Sequence, residues 1–215
     1  MIVSDAELTG LATISGGGRL PGIPVTSSGR EQAMLAMEGL RAKGVVDEQG
    51  SLTPFGLVPV RAVEQYREAD RHVFINQLKV SLNSDGALTV LHPAPGGWDV
   101  VRVNPLELML VLLRSYPFLC SGGSEDAAGS WQALTVKQWA AGRLKGGASP
   151  VLAVRATCVS QCSSILTVYD VRDGAGFAYD FDKKLGQVLP PWQIRVGLAE
   201  LLGCALPPGD GGSDE

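Results

Sequence analysis

Histidine is nearly missing from this chain: His72 and His92 are the only two in 215 residues. His72 is expected at the start of a strand and His92 at a turn edge. Such histidines are far more often strand-end or surface residues than general bases. Neither has a recognisable nucleophile beside it, and neither Gly-x-Ser-x-Gly nor His-Glu-x-x-His occurs. No catalytic residue and no cofactor is expected. Cysteine is also sparse. Cys158 and Cys162 stand four apart, which is not a zinc-knuckle spacing, and Cys120 and Cys204 lie far away. The reading is free buried thiols and no metal site, with intramolecular disulfides as the alternative in an oxidising compartment.

Long apolar runs are absent too. The longest is Leu108 to Leu113, six residues, against about 20 for a membrane span. Membrane insertion is therefore not expected. Met1-Ile2-Val3-Ser4-Asp5 has neither a basic n-region nor an apolar h-region, so a cytoplasmic location is the expectation. Charge is thin: 19% of residues carry one, and the net charge is -4. An acidic balance argues against nucleic acid as the partner. Hydrophobic residues reach 45%, enough to bury a core, so bulk disorder is excluded.

Glycine is abundant at 27 residues and punctuates the chain. Ser15-Gly16-Gly17-Gly18-Arg19 invites a phosphate-loop reading, which fails because no Lys-Ser/Thr follows. A helix is expected over Asp5 to Thr13, with Leu8, Leu11 and Ala12 on its apolar side. A second should run from Gly29 to Lys43, with Met34, Met37 and Leu40 inward and Gly44 as its stop. Thr53-Pro54 reads as the start of a third, ending near Glu68.

From His72 onward the period changes to two. Strands are expected over Leu78 to Leu82, Gly86 to Leu91 and Trp98 to Val103, with Asn83-Ser84-Asp85-Gly86 as a hairpin turn. Asn104-Pro105 then opens an apolar helix. Ser121 to Gly129 is the best internal boundary, and Trp131 to Arg143 reads as a helix. Strands return at Val151 to Thr157, Ile165 to Val171 and Gly176 to Phe181. A short extended piece at Gly186 to Leu189 leads to Pro190-Pro191 and a last helix bearing Ile194, Leu198, Leu201 and Leu202. The halves are 1–120 and 130–206, forming one compact domain, with 207–215 as a frayed tail.

This order repeats itself. Strand, strand, strand, proline and apolar helix occur over Leu78 to Leu113 and again over Val151 to Leu202. The fold class read from it is α+β: a pseudo-twofold duplication of strand-strand-strand-helix units, with a central antiparallel sheet and packed helices.

Asp170, Asp173, Asp180 and Asp182 gather on one hairpin without EF-hand spacing, and read as solvated carboxylates guarding a sheet edge. Phe177, Tyr179 and Phe181 alternate along one strand. They form either core or a platform for a partner. Leu40 to Thr53 looks like the helix-to-wing passage of winged-helix DNA binders. Only Arg30, Arg41 and Lys43 are basic there, thin for phosphate contacts.

The order of features resembles the EspG family of type VII secretion chaperones. The resemblance is carried by Ser4-Asp5-Ala6-Glu7-Leu8, by Arg41-Ala42-Lys43-Gly44-Val45-Val46, and by Gly50-Ser51-Leu52-Thr53-Pro54. The doubled half, ending in Val196-Gly197-Leu198-Ala199-Glu200-Leu201-Leu202, adds to it. It spans roughly residues 4 to 203, in a chain shorter than typical members. It implies a non-enzymatic cytosolic chaperone that shields the hydrophobic surface of PE-PPE or WXG-like secretion substrates. The expected partner surface is Phe177, Tyr179, Phe181 and Tyr169. Homodimerisation through an open sheet edge stays open. The alternatives are a generic protein-interaction module of this fold and a winged-helix regulator.

Overall fold

A computed structural model describes residues 1–24, 29–120, 132–133, 152–158, 163–172, 175–180 and 184–204. The fold is α+β, and every strand pair with a described register is antiparallel. The chain divides into two compact units. The division falls at Val103/Asn104, ahead of the apolar helix, whereas the sequence placed its boundary at Ser121 to Gly129.

The first unit is built on Met1–Val103. Strand β1 (Ile2–Val3) precedes three helices, α1 (Asp5–Ile14), α2 (Arg30–Ala42) and α3 (Leu57–Glu68). Four strands follow: β2 (Arg71–Ile75), β3 (Leu78–Leu82), β4 (Leu88–Ala94) and β5 (Gly97–Val103). The sheet order is β1-β5-β4-β3-β2. Helices α1 and α2 start and stop close to where the sequence says, for local reasons, whereas α3 starts at Leu57, after a turn over Pro54 to Gly56, and not at the expected Thr53-Pro54. Ser4 and Glu7 form a reciprocal capping box on α1. Gly44, at φ 70°, ends α2 with its N–H on the Arg41 carbonyl. Asn83 to Gly86 makes the expected hairpin turn, with Gly86 at φ 80°. Strand β2 is a fourth strand that the sequence reading did not separate. The turn before β3 is Asn76-Gln77, with Asn76 at φ 50° instead of a glycine.

One face of this sheet carries Leu91 and Val100, and packs on Leu8, Leu11, Leu40, Val60, Val63 and Tyr66 of the three helices. Leu8, Leu11 and Ala12 are buried as expected, but Met34 is 56% exposed. The inward positions on α2 are Ala36 and Leu40. Gly97 permits the close approach of β1, because a Cβ there would overlap the Val3 carbonyl.

The second unit holds α4 (Pro105–Ser115), a 3₁₀ turn (Pro117–Cys120), and strands β6 (Gln132–Ala133), β7 (Leu152–Cys158), β8 (Ser163–Arg172), β9 (Ala175–Asp180) and β10 (Leu185–Leu189). Helix α5 (Pro191–Leu201) closes it. The strand order is β7-β8-β9-β10-β6. Gln132–Ala133 is strand, which corrects the start of the helix expected from Trp131; the rest of that helix lies outside the described residues. Asn104 and Glu107 cap α4 reciprocally. Helix α5 packs on the 3₁₀ turn, where Arg195 Nη1 donates to the Leu119 carbonyl at 3.2 Å. Ile194, Leu198 and Leu202 are buried as their spacing requires. Cys120 is exposed, and Cys158 and Cys204 are half-buried; all three are free thiols. The expectation of buried thiols is thus corrected for them, and Cys162 lies outside the described residues. Four successive strands precede each proline-opened helix, at Pro105 and at Pro191, but both of those helices belong to the second unit.

Candidate protein-binding surfaces

The aromatic positions chosen from sequence lie in the second unit. The register sets Val168 opposite Tyr179, Asp170 opposite Phe177, and Tyr169 opposite Ala178. Residues directly opposite share a face. Positions 177 and 179 therefore lie on one side of the sheet, and position 169 lies on the other. Tyr169 does not belong to that row; a period-two reading of a single strand cannot give cross-strand register. Phe181, and the Asp173 and Asp182 of the acidic hairpin, lie outside the described residues.

The described exposed apolar side chains are elsewhere. Leu106, Leu110 and Val111 are exposed on α4. Phe55, Leu57 and Val58 are exposed at the start of α3. They stand there because the turn before α3 is pinned from below. Thr53 Oγ1 donates to the Gly44 carbonyl at 2.5 Å and accepts the Gly56 N–H at 2.9 Å. Gly56 lies so close to Val45 that a Cβ would overlap the Val45 carbonyl oxygen. With the turn's inner side taken, Phe55 and Val58 point away from it. Between α3 and β5 a cavity of about 690 Å³ opens, lined by Phe55, Val58, Val100, Arg61 and Arg102 among others. Sequence reasoning missed this groove. Its signal was Phe55-Gly56-Leu57-Val58, an apolar run at a helix start, where polar residues are usual.

The three segments that carry the family resemblance meet in the first unit. Lys43 Nζ contacts the buried Glu7 carboxylate at 2.5 Å. Burial alone would raise the Glu7 pKa, but the contacts with Lys43 and Ser4 outweigh it and hold the carboxyl below its usual range. Arg41 donates through Nε to the Asp47 carbonyl at 3.2 Å and through Nη2 to the Glu48 carbonyl. Val46 and Leu52 close a small bridge around Gly50, at φ 81°. These segments position α1, α2 and α3 against one another.

A family model described as a domain of unknown function, DUF5081, matches residues 2–128. The chain belongs to the DUF5081 family. Among curated proteins none matches it. The DUF5081 match spans α3 and β5, the two elements between which the groove opens. It ends before positions 169, 177, 179 and 181.

His72, read from sequence as a strand-end or surface residue, is fully buried. Its Nε2 lies 2.7 Å from the Tyr66 carbonyl, which can only accept, so Nε2 carries the proton. Among the described residues, Nδ1 is buried without a hydrogen-bond partner. Burial holds its pKa below the usual imidazole value, against smaller opposing effects of Tyr66 and Asp70. His92 is exposed on β4. Among the described residues no group of three His, Cys, Asp or Glu is placed to hold a metal ion. Nor is any described helix long and apolar enough to cross a membrane.

Proposed function

We propose that this protein is a non-enzymatic cytosolic chaperone or adaptor of the EspG type, binding helical type VII secretion substrates and shielding their apolar surface. The observation that carries the reading is the order of elements. Four successive strands followed by a proline-opened helix occur twice along the chain, from β2 to α4 and from β7 to α5, which supports the duplicated order read from the sequence. The cargo surface proposed is the face of β9 on which positions 177 and 179 lie, together with Phe181, which lies outside the described residues. Aromatic rows on a sheet face suit an apolar helical partner.

The test is co-expression with each helical type VII substrate encoded in the same genome, followed by size-exclusion chromatography. Co-elution at a defined ratio, lost on Tyr179→Glu while the fold is kept, is the expected result. A well-folded chain that forms no complex with any of them sinks the secretion reading. A generic interaction module is the second reading. It is favoured by the structural role of the residues that carry the resemblance: Glu7, Arg41, Lys43 and Thr53 all serve internal contacts.

A further inference from the structure

The α3/β5 groove differs in chemistry from the chain that bears it. Val58 is 71% exposed and Phe55 59%, above the buried Pro59, Ala62 and Val100. Large apolar side chains over an apolar floor are the usual anatomy of a protein-binding pocket. The charges there are all positive: Arg61 and Arg102 line the groove, and no Asp or Glu does. Yet the whole chain has net charge -4. Arg102 is paired with Asp85. Arg61, exposed on α3, makes no ion pair or side-chain hydrogen bond among the described residues.

We propose that this groove docks an acidic peptide segment of a partner protein, whose apolar side chains cover Phe55 and Val58 while a carboxylate pairs with Arg61. Charge selects this occupant. A second copy docked groove to groove would bring two positively charged grooves together, a like-charge arrangement. An acidic segment meets them with the opposite sign. The groove lies wholly in the first unit, so this inference does not rest on the cargo reading, whose positions are in the second.

A phage-displayed library of random twelve-residue peptides, selected on the immobilised full-length chain, is the probe. Enrichment of peptides joining two apolar residues to an Asp or Glu is expected. Fluorescence anisotropy of a labelled selected peptide should show at least tenfold weaker binding to Val58→Asp and to Arg61→Glu. Changing the peptide's acid to lysine should restore binding to Arg61→Glu. Both substituted sites are exposed, and thermal melts verify that the variants fold. No enrichment, selected peptides without acids, or undiminished binding to both variants would overturn the proposal. So would a concentration-dependent dimer in light scattering that Val58→Asp abolishes, since a second copy would then fill the groove.

Discussion

Two buried ionisable side chains, Glu7 and His72, make the first unit sensitive to acid in two separate windows. Glu7 is 5% exposed and held by Lys43 and by the Ser4 N–H. Removing one partner of a buried pair leaves the other charge stranded. Lys43 is 36% exposed, so Lys43→Met should cost about 1–3 kcal/mol, less than the several kcal/mol of a fully buried pair. Urea denaturation measures it, and Glu7→Gln added to Lys43→Met should recover part of the loss. The folded pKa of Glu7 is depressed. Its contribution is full above the ordinary carboxylate value and is lost as pH falls through the folded value. His72 is also depressed, with the opposite charge logic. Its neutral form is the folded one, because a proton on Nδ1 would meet no acceptor among the described residues. As pH falls below the ordinary imidazole value of about 6.5, the unfolded chain takes up a proton first, and stability declines toward the folded pKa. The urea midpoint should therefore fall between pH 7.5 and 5. In His72→Phe that slope should flatten, although the orphaned Tyr66 carbonyl lowers stability at every pH. An equal slope in the variant would mean that another group titrates there.

At the scale of elements, helix ends decide what can be read. Asn104→Ala breaks a surface capping box and should cost about 1 kcal/mol. Gly56→Ala should cost more, about 2–4 kcal/mol, since the new methyl meets a fixed backbone carbonyl rather than a side chain that can turn aside. Thermal or urea melts rank the two. If Gly56→Ala were the milder change, α3 would not be locked to the Val45 backbone. The same contrast sets how far the sequence was legible. Asn104-Pro105, Gly44 and Asn83 to Gly86 are local chemical signals, and the elements they bound were read correctly. The turn at Asn76-Gln77 has no glycine, so β2 merged with what followed it. Met34 keeps helical spacing with Leu40, but α1 meets α2 along Ala36 and Leu40 instead. The face of Tyr169 depends on register with β9, and the environment of His72 depends on its contact with Tyr66 at the end of α3. Neither is encoded within a single element. The groove at Phe55 and Val58 was missed for the same reason, because its far wall is β5.

At the scale of the whole molecule, the charge distribution leads us to expect no binding of nucleic acid. The helix-to-wing likeness of Leu40 to Thr53 is real in shape: α2 ends at Gly44 and a small hairpin bridges Val46 and Leu52. Its charges are wrong for DNA. The hairpin turn carries Asp47 and Glu48, and α2 sets Glu31 and Glu38 against Arg30 and Arg41. The cations nearest the wing are engaged internally, Arg41 with the Asp47 and Glu48 carbonyls and Lys43 with Glu7. A DNA binder gains affinity by releasing counterions, with a salt slope of about -0.9 per neutralised phosphate in B-DNA. This surface supplies few cations for that exchange, on a chain with net charge -4. Fluorescence anisotropy with a labelled random-sequence duplex should therefore show no binding at micromolar protein in 50 mM salt. A salt slope near -3 or steeper would require at least three exposed basic residues acting together, and would reinstate the winged-helix reading. Asp47→Lys with Glu48→Lys gives the internal control. If repulsion by the hairpin is what keeps DNA away, this pair of changes should bring in weak, salt-sensitive binding while the fold is kept, since neither carboxylate is buried. Asp47 Oδ1 does accept the Gln49 and Ser51 N–H groups, so Glu48→Lys alone is the variant that changes charge without touching the turn.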